Sequence, residues 1–210
     1  HAYHKRKCEQ ISQELLGSPQ SMAGFFIDRT EVSQGSYDRC TQAGVCMPIR
    51  TRWDVDYQPA TGVTFQMAKT FCEWRKSRLP TRDEWLYAAR GSKDSRVFPW
   101  GDSLRREDKS ANANLGDNAR RGGVPDRSDR HKYVGSVEIF PESKSPFGTI
   151  NQVGNVREWV ANSDGEAAGS MGGGWRSPPF DARLSNLRKI SPESAVNDLG
   201  FRCVVDANQF

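Results

Sequence analysis

The side chains with the most reactive chemistry in this chain are five cysteines, accompanied by three histidines. They are Cys8, Cys40, Cys46, Cys72 and Cys203, with His1, His4 and His131. No two cysteines form a C-x-x-C pair, and three histidines offer no zinc site of the usual spacing. Disulfide bonds are the favoured interpretation, and buried free thiols in a cytosolic domain are the alternative.

Other catalytic patterns are missing from the sequence. It contains no G-x-S-x-G elbow, no Walker loop and no H-E-x-x-H pair, and a Ser-His-Asp triad would have to use His131. The sequence therefore does not indicate hydrolase, nucleotidase or zinc-protease chemistry.

Length and composition restrict the class of protein. The 210 residues are enough for one domain with a sizeable core, and no stretch approaches the roughly 20 apolar residues of a membrane helix. Thirty basic and 26 acidic side chains are interspersed along the chain, so the net charge of +4 is weak support for a nucleic-acid partner. Six Trp, 10 Phe, 19 Gly and 11 Pro predict a loop-rich fold with an aromatic core.

The chain begins with His1 and a polar stretch without an apolar signal core. We expect residues 1–23 to form an N-terminal extension or linker and residues 24–210 to form the domain. A processed or excised piece is the expectation, with possible fusion to an upstream domain or a membrane anchor.

The first half of the domain carries the helical patterns. A strand is predicted over 25–32, and Ser33 is placed to cap a short helix that ends near Gly44. Apolar residues at helical spacing predict a second helix from Thr64 to about Ser77.

A third helix has the sharpest start signal. Thr81 and Glu84 form the spacing of a capping box, and Gly91 supplies the stop. Two helices in tandem are therefore predicted between residues 64 and 91.

The second half of the chain reads as loops and short strands. Strand-like runs lie at 134–140, 154–160 and 200–205, separated by turn residues. Residues 92–136 have little regular pattern, and a structureless loop of that length needs something to order it. Bound cations are the candidate, and the whole pattern predicts an α+β domain.

Four motifs stand in a characteristic order. They read RLPTRDEW (78–85) followed by YAARG (87–91), FPWGD (98–102), GNVREW (154–159) and GFRC (200–203). In this order and spacing the chain resembles the formylglycine-generating enzyme family, or sulfatase-modifying-factor domain, over roughly residues 24–206. The resemblance implies an elaborated C-type lectin fold with little regular secondary structure.

The activity that the resemblance implies is oxidation of a sulfatase cysteine to formylglycine, using oxygen and a copper(I) ion held by two cysteines. Thiolates suit Cu(I) because both are soft. In the register set by GGGWRSPPFDAR (172–183), the two cysteine positions are Ser177 and Ala182. Neither can bind Cu(I), so we expect no copper, a member without the catalytic pair and no formylglycine-generating activity.

The resemblance also implies a disulfide between Cys72 and Cys203. Cys40 and Cys46 can close a small ring if the first helix ends at Gly44. Cys8 is left over, either free or paired outside this chain. Two disulfides predict a periplasmic or extracellular location, or a secretory lumen.

Two calcium sites follow from the resemblance. The first site takes Asn114, the carbonyl of Leu115, Asp129 and the carbonyl of His131. The second takes the side chains of Asn155 and Glu158 with the carbonyls of Val153, Gly154 and Val156. Such hard oxygen donors suit Ca²⁺, so one or two calcium ions are expected. In the alternative interpretation, Asn155 is a turn residue and Glu158 a surface or salt-bridged carboxylate.

The remaining candidate surface is the cleft around the former copper position. Its predicted residues are Trp175, Arg176, Ser177, Phe180, Asp181 and Arg183, which can anchor a peptide or a small ligand. In the alternative, the two aromatic residues belong to the core and the two arginines to internal salt bridges.

Three functional hypotheses result. The first is a non-catalytic, calcium-stabilised binding or sensory module for an unknown peptide, protein or small molecule, a pseudoenzyme within a longer bacterial protein such as a kinase or a lipoprotein. The second is a divergent enzyme that works without the cysteine pair. The third is a ligand-binding variable protein diversified by a retroelement, although residues 177–197 lack the Asn, Tyr and Ser enrichment of such segments.

Overall fold

Three short helices begin where the sequence supplies capping side chains. The computed structural model describes residues 23–51, 53, 55–92, 95–104, 107–108, 111–116 and 129–209. Helix α1 spans Gln34–Gln42, α2 spans Phe65–Trp74 and α3 spans Arg82–Arg90. Their N-caps are Ser33, Thr64 and Thr81, whose hydroxyls each accept a backbone N–H, and these satisfy donors that the first helical turn leaves unpaired.

The predicted capping box of α3 is confirmed. The Thr81 hydroxyl accepts the Glu84 N–H, and the Glu84 carboxylate accepts the Thr81 N–H at 2.8 Å. Gly91 ends the helix at a φ of 90°, a region that favours glycine. Helix α2 ends at Trp74, earlier than predicted, because Lys76 two residues later lies in the left-handed region with a φ of 59°.

The strands are few and short. Strand β1 spans Phe25–Ile27, β2 spans Arg157–Ala161, β3 spans Ala167–Met171, β4 spans Leu199–Gly200 and β5 spans Val204–Asp206. β1 pairs antiparallel with β5, and β2 lies between antiparallel β3 and parallel β4. Three-residue or four-residue 3₁₀ turns occupy Pro141–Ser143, Pro179–Ala182 and Ala207–Gln209.

All four strand predictions need correction. The strand predicted over 25–32 is limited to Phe25–Ile27, and the one predicted over 154–160 begins only at Arg157, after Asn155 in the left-handed region.

The run at 134–140 is not a strand, because it turns and ends with Phe140 in the left-handed region at a φ of 52° before a 3₁₀ turn. The run at 200–205 is interrupted between β4 and β5, where Arg202 and Cys203 make buried contacts that do not belong to a ladder.

Strand β2 separates two hydrophobic cores. All five of its residues are buried, and successive side chains of a strand point to opposite faces. Trp159 belongs to the core formed with α1 and α2, where Tyr37, Phe71 and Phe201 contact one another. Val160 belongs to the second core, which contains Trp85. One central strand therefore positions side chains in both halves of the domain.

Both predicted disulfides are confirmed. Cys40, in the last turn of α1, is bonded to Cys46 just after the helix, and Cys72 of α2 is bonded to Cys203, with Cα atoms 5.2 and 5.7 Å apart respectively. The second bond joins the helical half to the last strand. Cys8 lies outside the described residues, as do the residues of the predicted extension up to 22. Within the described ranges no helix is long and apolar enough to cross a membrane.

We predict that the long-range disulfide contributes more stability than the short one. In the chain-entropy model a loop closed over 131 positions contributes about 5 kcal/mol and one over six positions about 2 kcal/mol. Urea unfolding of C72S/C203S should therefore show the larger loss, with C40S/C46S as the matched control. Equal losses would contradict this order. Full reduction of the wild type should also add four hydrogens to its intact mass.

Candidate functional site

The polar centre of the domain is a fully buried arginine. The guanidinium of Arg202 donates from Nε and Nη2 to the two carboxylate oxygens of Glu158, each at 2.7 Å. Its remaining N–H groups donate to the carbonyls of Asp28, Arg29 and Ile150 at 2.8 to 3.1 Å. Every donor of the fork has an acceptor, so the charge is held without water.

Glu158 was predicted as a calcium ligand, and its surroundings differ from that expectation. Besides both contacts from Arg202, its Oε2 accepts the indole N–H of Trp85 at 2.7 Å. A cation would have to compete with a buried guanidinium for these oxygens. With its oxygens occupied by these donors, Glu158 does not offer a hard cation a free ligand. Calcium binding at the second site stays a prediction. The alternative of a salt-bridged Glu158 matches the geometry, although the residue is buried and not on the surface.

A second buried carboxylate, which the sequence did not reveal, lies beside this pair. Glu31 is 2% exposed and accepts the side-chain amides of Asn151 at 3.2 Å and Asn155 at 3.0 Å. Burial raises the pKa of Glu31 to about 8; the charge of Glu158 acts in the same direction, and Arg202 opposes both. Two carboxylates and one guanidinium therefore share one buried region, in which burial favours the neutral form of Glu31.

Asn155 combines a turn role with an internal contact. It lies in the left-handed region with a φ of 59°, which asparagine tolerates better than most residues. The side-chain Oδ1 of Asn155 accepts the Gly135 N–H at 2.8 Å, and the backbone N–H of Asn155 donates to the Asn114 carbonyl at 2.8 Å. Val153, Gly154 and Val156 are buried in the same turn. The two predicted calcium sites are therefore neighbours in the fold.

The residues of the first predicted site are brought together. Asp129 accepts the backbone N–H of His131 at 2.8 Å and that of Leu115 at 3.3 Å, one on each oxygen. Asn114 is 1% exposed and donates to the Tyr133 carbonyl at 2.8 Å. One carboxylate thus gathers the elements that were expected to surround a calcium ion. In the described part of the chain, no group of three or more His, Cys, Asp and Glu side chains could hold a metal.

Ser177 and Ala182, the positions expected to correspond to the copper-binding cysteines, lie next to each other. A β-carbon placed on Gly173 would stand 2.7 Å from the Cβ of Ala182 and 3.2 Å from that of Ser177, so these two carbons are within about 6 Å of each other. Ala182 is fully buried, and the Ser177 hydroxyl accepts the Gly174 N–H at 3.0 Å. The pocket therefore holds a methyl group and an occupied hydroxyl, a donor set that does not fit Cu(I).

An aromatic cluster borders this pocket. Trp175 contacts Trp53 and Tyr133 edge to face, with ring centroids 5.6 and 5.3 Å apart, and the other two rings are 5.6 Å apart. All three side chains are half-buried. Trp53 and Tyr133 were missed by the sequence analysis because they are 122 and 42 positions from Trp175 and belong to no motif. We call Trp53, Tyr133 and Trp175 the aromatic cluster.

The other predicted cleft residues are largely at the surface. Phe180 is 54% exposed, so its assignment to the core in the alternative interpretation is wrong. Arg183 covers the Phe180 ring at 3.8 Å, and Arg176 covers the Trp175 ring at 5.3 Å. Neither arginine forms an ion pair with the described residues, and Asp181 is exposed. The cleft segment therefore presents cations stacked on rings.

Comparison with known proteins decides the family. The model of the sulfatase-modifying factor enzyme 1-like domain matches residues 8–207. The chain belongs to this family. The expected fold class is confirmed as well: a loop-rich α+β domain of the formylglycine-generating-enzyme type, an elaborated relative of the C-type lectin fold. The match begins inside the stretch that we assigned to an extension.

Named relatives include active and inactive members. The chain is 32% identical over 163 residues to "Inactive C-alpha-formylglycine-generating enzyme 2" of Bos taurus, covering 72% of this chain and 51% of that protein. It is 29% identical over 177 residues to "Formylglycine-generating enzyme" of Mus musculus, covering 70% and 44%. The chain therefore spans about half the length of the curated relatives it matches.

A solved structure of similar fold is PvdO from Pseudomonas aeruginosa. It superposes with a TM-score of 0.66 at 25% identity, covering 87% of this chain and 80% of that one. The shared scaffold extends over most of both chains.

We predict that substitution of Arg202 destabilises the domain far more than substitution of an exposed arginine. R202M should lower the free energy of unfolding by about 3–5 kcal/mol, because it leaves Glu158 buried without a countercharge. The measurement is urea unfolding, with the exposed Arg176 as the control in R176M. The double variant R202M/E158Q should recover part of the loss, and no recovery would contradict the charge-pair explanation.

Proposed function

We propose that this chain is a non-catalytic member of the formylglycine-generating enzyme family that binds a ligand in the cleft around Ser177 and Ala182. The observation that supports it best is the adjacency of these two side chains, which supply no thiolate where the enzymes use two. The four described cysteines are consumed in disulfides. The family's oxidation therefore has no soft donor pair in this pocket.

One named relative agrees with this proposal: a protein named as an inactive formylglycine-generating enzyme shares 32% identity with this chain, although a protein named as the enzyme shares 29%. The ligand is a peptide, a protein or a small molecule held by the exposed side of the cleft, where aromatic rings and cations are presented. Nucleic acid is not expected as the ligand.

One calcium ion at the first predicted site is the cofactor that we propose. Asp129 supplies the carboxylate, Asn114 the side-chain amide, and Leu115 and His131 their carbonyls. Support comes from the backbone N–H groups of Leu115 and His131, which both donate to Asp129, and from Asn114, which precedes Leu115. Oxygen ligands of this kind suit Ca²⁺. An ion at this site would bind the folded chain and not the unfolded chain, and it would therefore stabilise the folded state.

We further propose a periplasmic or extracellular location. Two disulfides are the support, because such bonds persist in oxidising compartments and are rare in the cytosol. The domain is proposed to act as part of a longer protein, with an upstream domain or a membrane anchor.

The proposal predicts no formylglycine formation. The chain, incubated with Cu(I), oxygen and a cysteine-containing sulfatase peptide, should give no aldehyde product by mass spectrometry and no oxygen uptake. The variant S177C/A182C, made with C8S to remove the remaining thiol, should gain Cu(I) binding in a competition titration with a coloured Cu(I) chelator. C8S alone is the matched control. Turnover by the wild-type chain would overturn the non-catalytic assignment.

Calcium binding is predicted to raise the melting temperature. Adding CaCl₂ to EGTA-treated protein should increase the Tm, and the increment should vanish in D129N, while D181N, which changes an exposed carboxylate, should keep it. The quantity to compare between variants is the calcium-dependent increase in Tm. The Tm itself is not suitable, because Asp129 also accepts two backbone N–H groups that D129N weakens in the absence of calcium. An equal increase in Tm for D129N and the wild type would contradict calcium binding at Asp129.

A further inference from the structure

The aromatic cluster carries positive charges on its rings. The Nζ of Lys132 lies 5.3 Å from the Tyr133 ring centroid, and the guanidinium carbon of Arg176 lies 5.3 Å from that of Trp175. Both cations are exposed. In the described part of the chain, neither forms an ion pair with a carboxylate. Stacking fixes the direction of two long side chains without neutralising their charge.

Nearby carboxylates in the described structure are engaged elsewhere. Asp129 accepts the backbone N–H groups of Leu115 and His131, and Asp198 accepts Nη2 of the buried Arg157 at 3.0 Å. These acids therefore do not serve as partners for Lys132 or Arg176. Among the described residues, Lys132 and Arg176 therefore keep their positive charges unpaired at this face.

In the described structure, the buried guanidinium of Arg157 has an acceptor on only one of its nitrogens, Nη2, which donates to Asp198. A β-carbon on Gly174 would lie 3.1 Å from the backbone nitrogen of Arg157 and 3.1 Å from the carbonyl oxygen of Asp198, so the backbones of these segments are adjacent. Arg157 is 5% exposed, and its Nε and Nη1 have no hydrogen-bond partner among the described residues. Because this guanidinium is buried and already paired with Asp198, the accessible cations of the face are Lys132 and Arg176.

We propose that the aromatic cluster with Lys132 and Arg176 binds an acidic peptide segment that contains aromatic residues. This inference rests on the proposed ligand-binding function of the cleft and names the class of ligand. Carboxylates would pair with the two cations, and an aromatic side chain would contact the ring edges that the cations leave uncovered, in the edge-to-face arrangement that aromatic pairs favour. The stacked cations lose little freedom on binding, because their rings already hold them.

A peptide fits this surface better than a single-stranded nucleic acid. Bases bind by stacking on open ring faces, whereas here one face of Trp175 and one of Tyr133 is covered by a cation. The three rings also contact one another by their edges and faces. The charged ends of Lys132 and Arg176 are therefore more accessible to a ligand than the faces of the rings.

The test uses fluorescein-labelled synthetic peptides and fluorescence anisotropy. A peptide of alternating glutamate and tyrosine should bind, and its affinity should fall as ionic strength rises. The matched glutamine–tyrosine peptide should bind at least about tenfold more weakly. R176A and K132A should each weaken binding of the glutamate peptide about three- to tenfold. R188A and K189A remove exposed cations outside the cluster and should change nothing.

Charge reversal gives the sharpest outcome. R176E/K132E should lose the glutamate peptide and gain a lysine–tyrosine peptide, which a merely structural role of these side chains would not produce. Equal binding of the glutamate and glutamine peptides, no effect of R176A and K132A, or no binding of the glutamate peptide would each overturn the inference. Tighter binding of oligo(dT) than of the glutamate peptide would also overturn it, in favour of nucleic acid.

Failure of this inference differs from failure of the proposed function. If the glutamine–tyrosine peptide binds and W175A, with an unchanged melting temperature, abolishes that binding, the cleft is a ligand site whose specificity is not set by charge. If instead the wild-type chain oxidises the sulfatase peptide, the non-catalytic assignment fails whatever the peptides show.

Discussion

The fold depends on one buried guanidinium and the five acceptors that surround it. Arg202 connects the carbonyls that follow β1, the carbonyl of Ile150 and the carboxylate of Glu158 on the central strand. The adjacent Cys203 ties the same point to α2. A buried ion pair adds little net stability compared with apolar packing, but removal of one partner is costly. Arg202 therefore specifies how the segments of a loop-rich chain meet.

This polar centre also constrains where a cation can bind. Glu158 is held by Arg202 and Trp85, and Glu31 receives two asparagine amides, so the buried oxygens already have donors. Asp129, in contrast, accepts only backbone N–H groups in the described structure. A hard cation faces no competing positive charge from those contacts. The buried positive charge of Arg202 therefore distinguishes the second predicted calcium site, which contains Glu158, from the first, which contains Asp129.

The cleft is largely independent of that centre. Ser177 and Ala182 lie around Gly173 on a segment that begins with closely packed glycines and ends in a 3₁₀ turn. The Ser177 hydroxyl accepts the Gly174 N–H, and neither Ser177 nor Ala182 has a hydrogen bond with Arg202 or Glu158 in the described structure. The rim of the cleft presents rings and cations.

The sequence by itself determined the local features. The caps of α1 and α3, the small disulfide ring after α1 and the family motifs are encoded within a few neighbouring residues, so spacing was enough to predict them. β3, with the sequence AAGSM, was missed because it lacks β-branched and aromatic residues and forms by pairing with β2. Only the tertiary structure placed Glu31 against Asn151 and Asn155, and Trp53 and Tyr133 against Trp175. Those contacts join residues 42 to 124 positions apart, and no local pattern records a neighbour that arises when distant loops pack together.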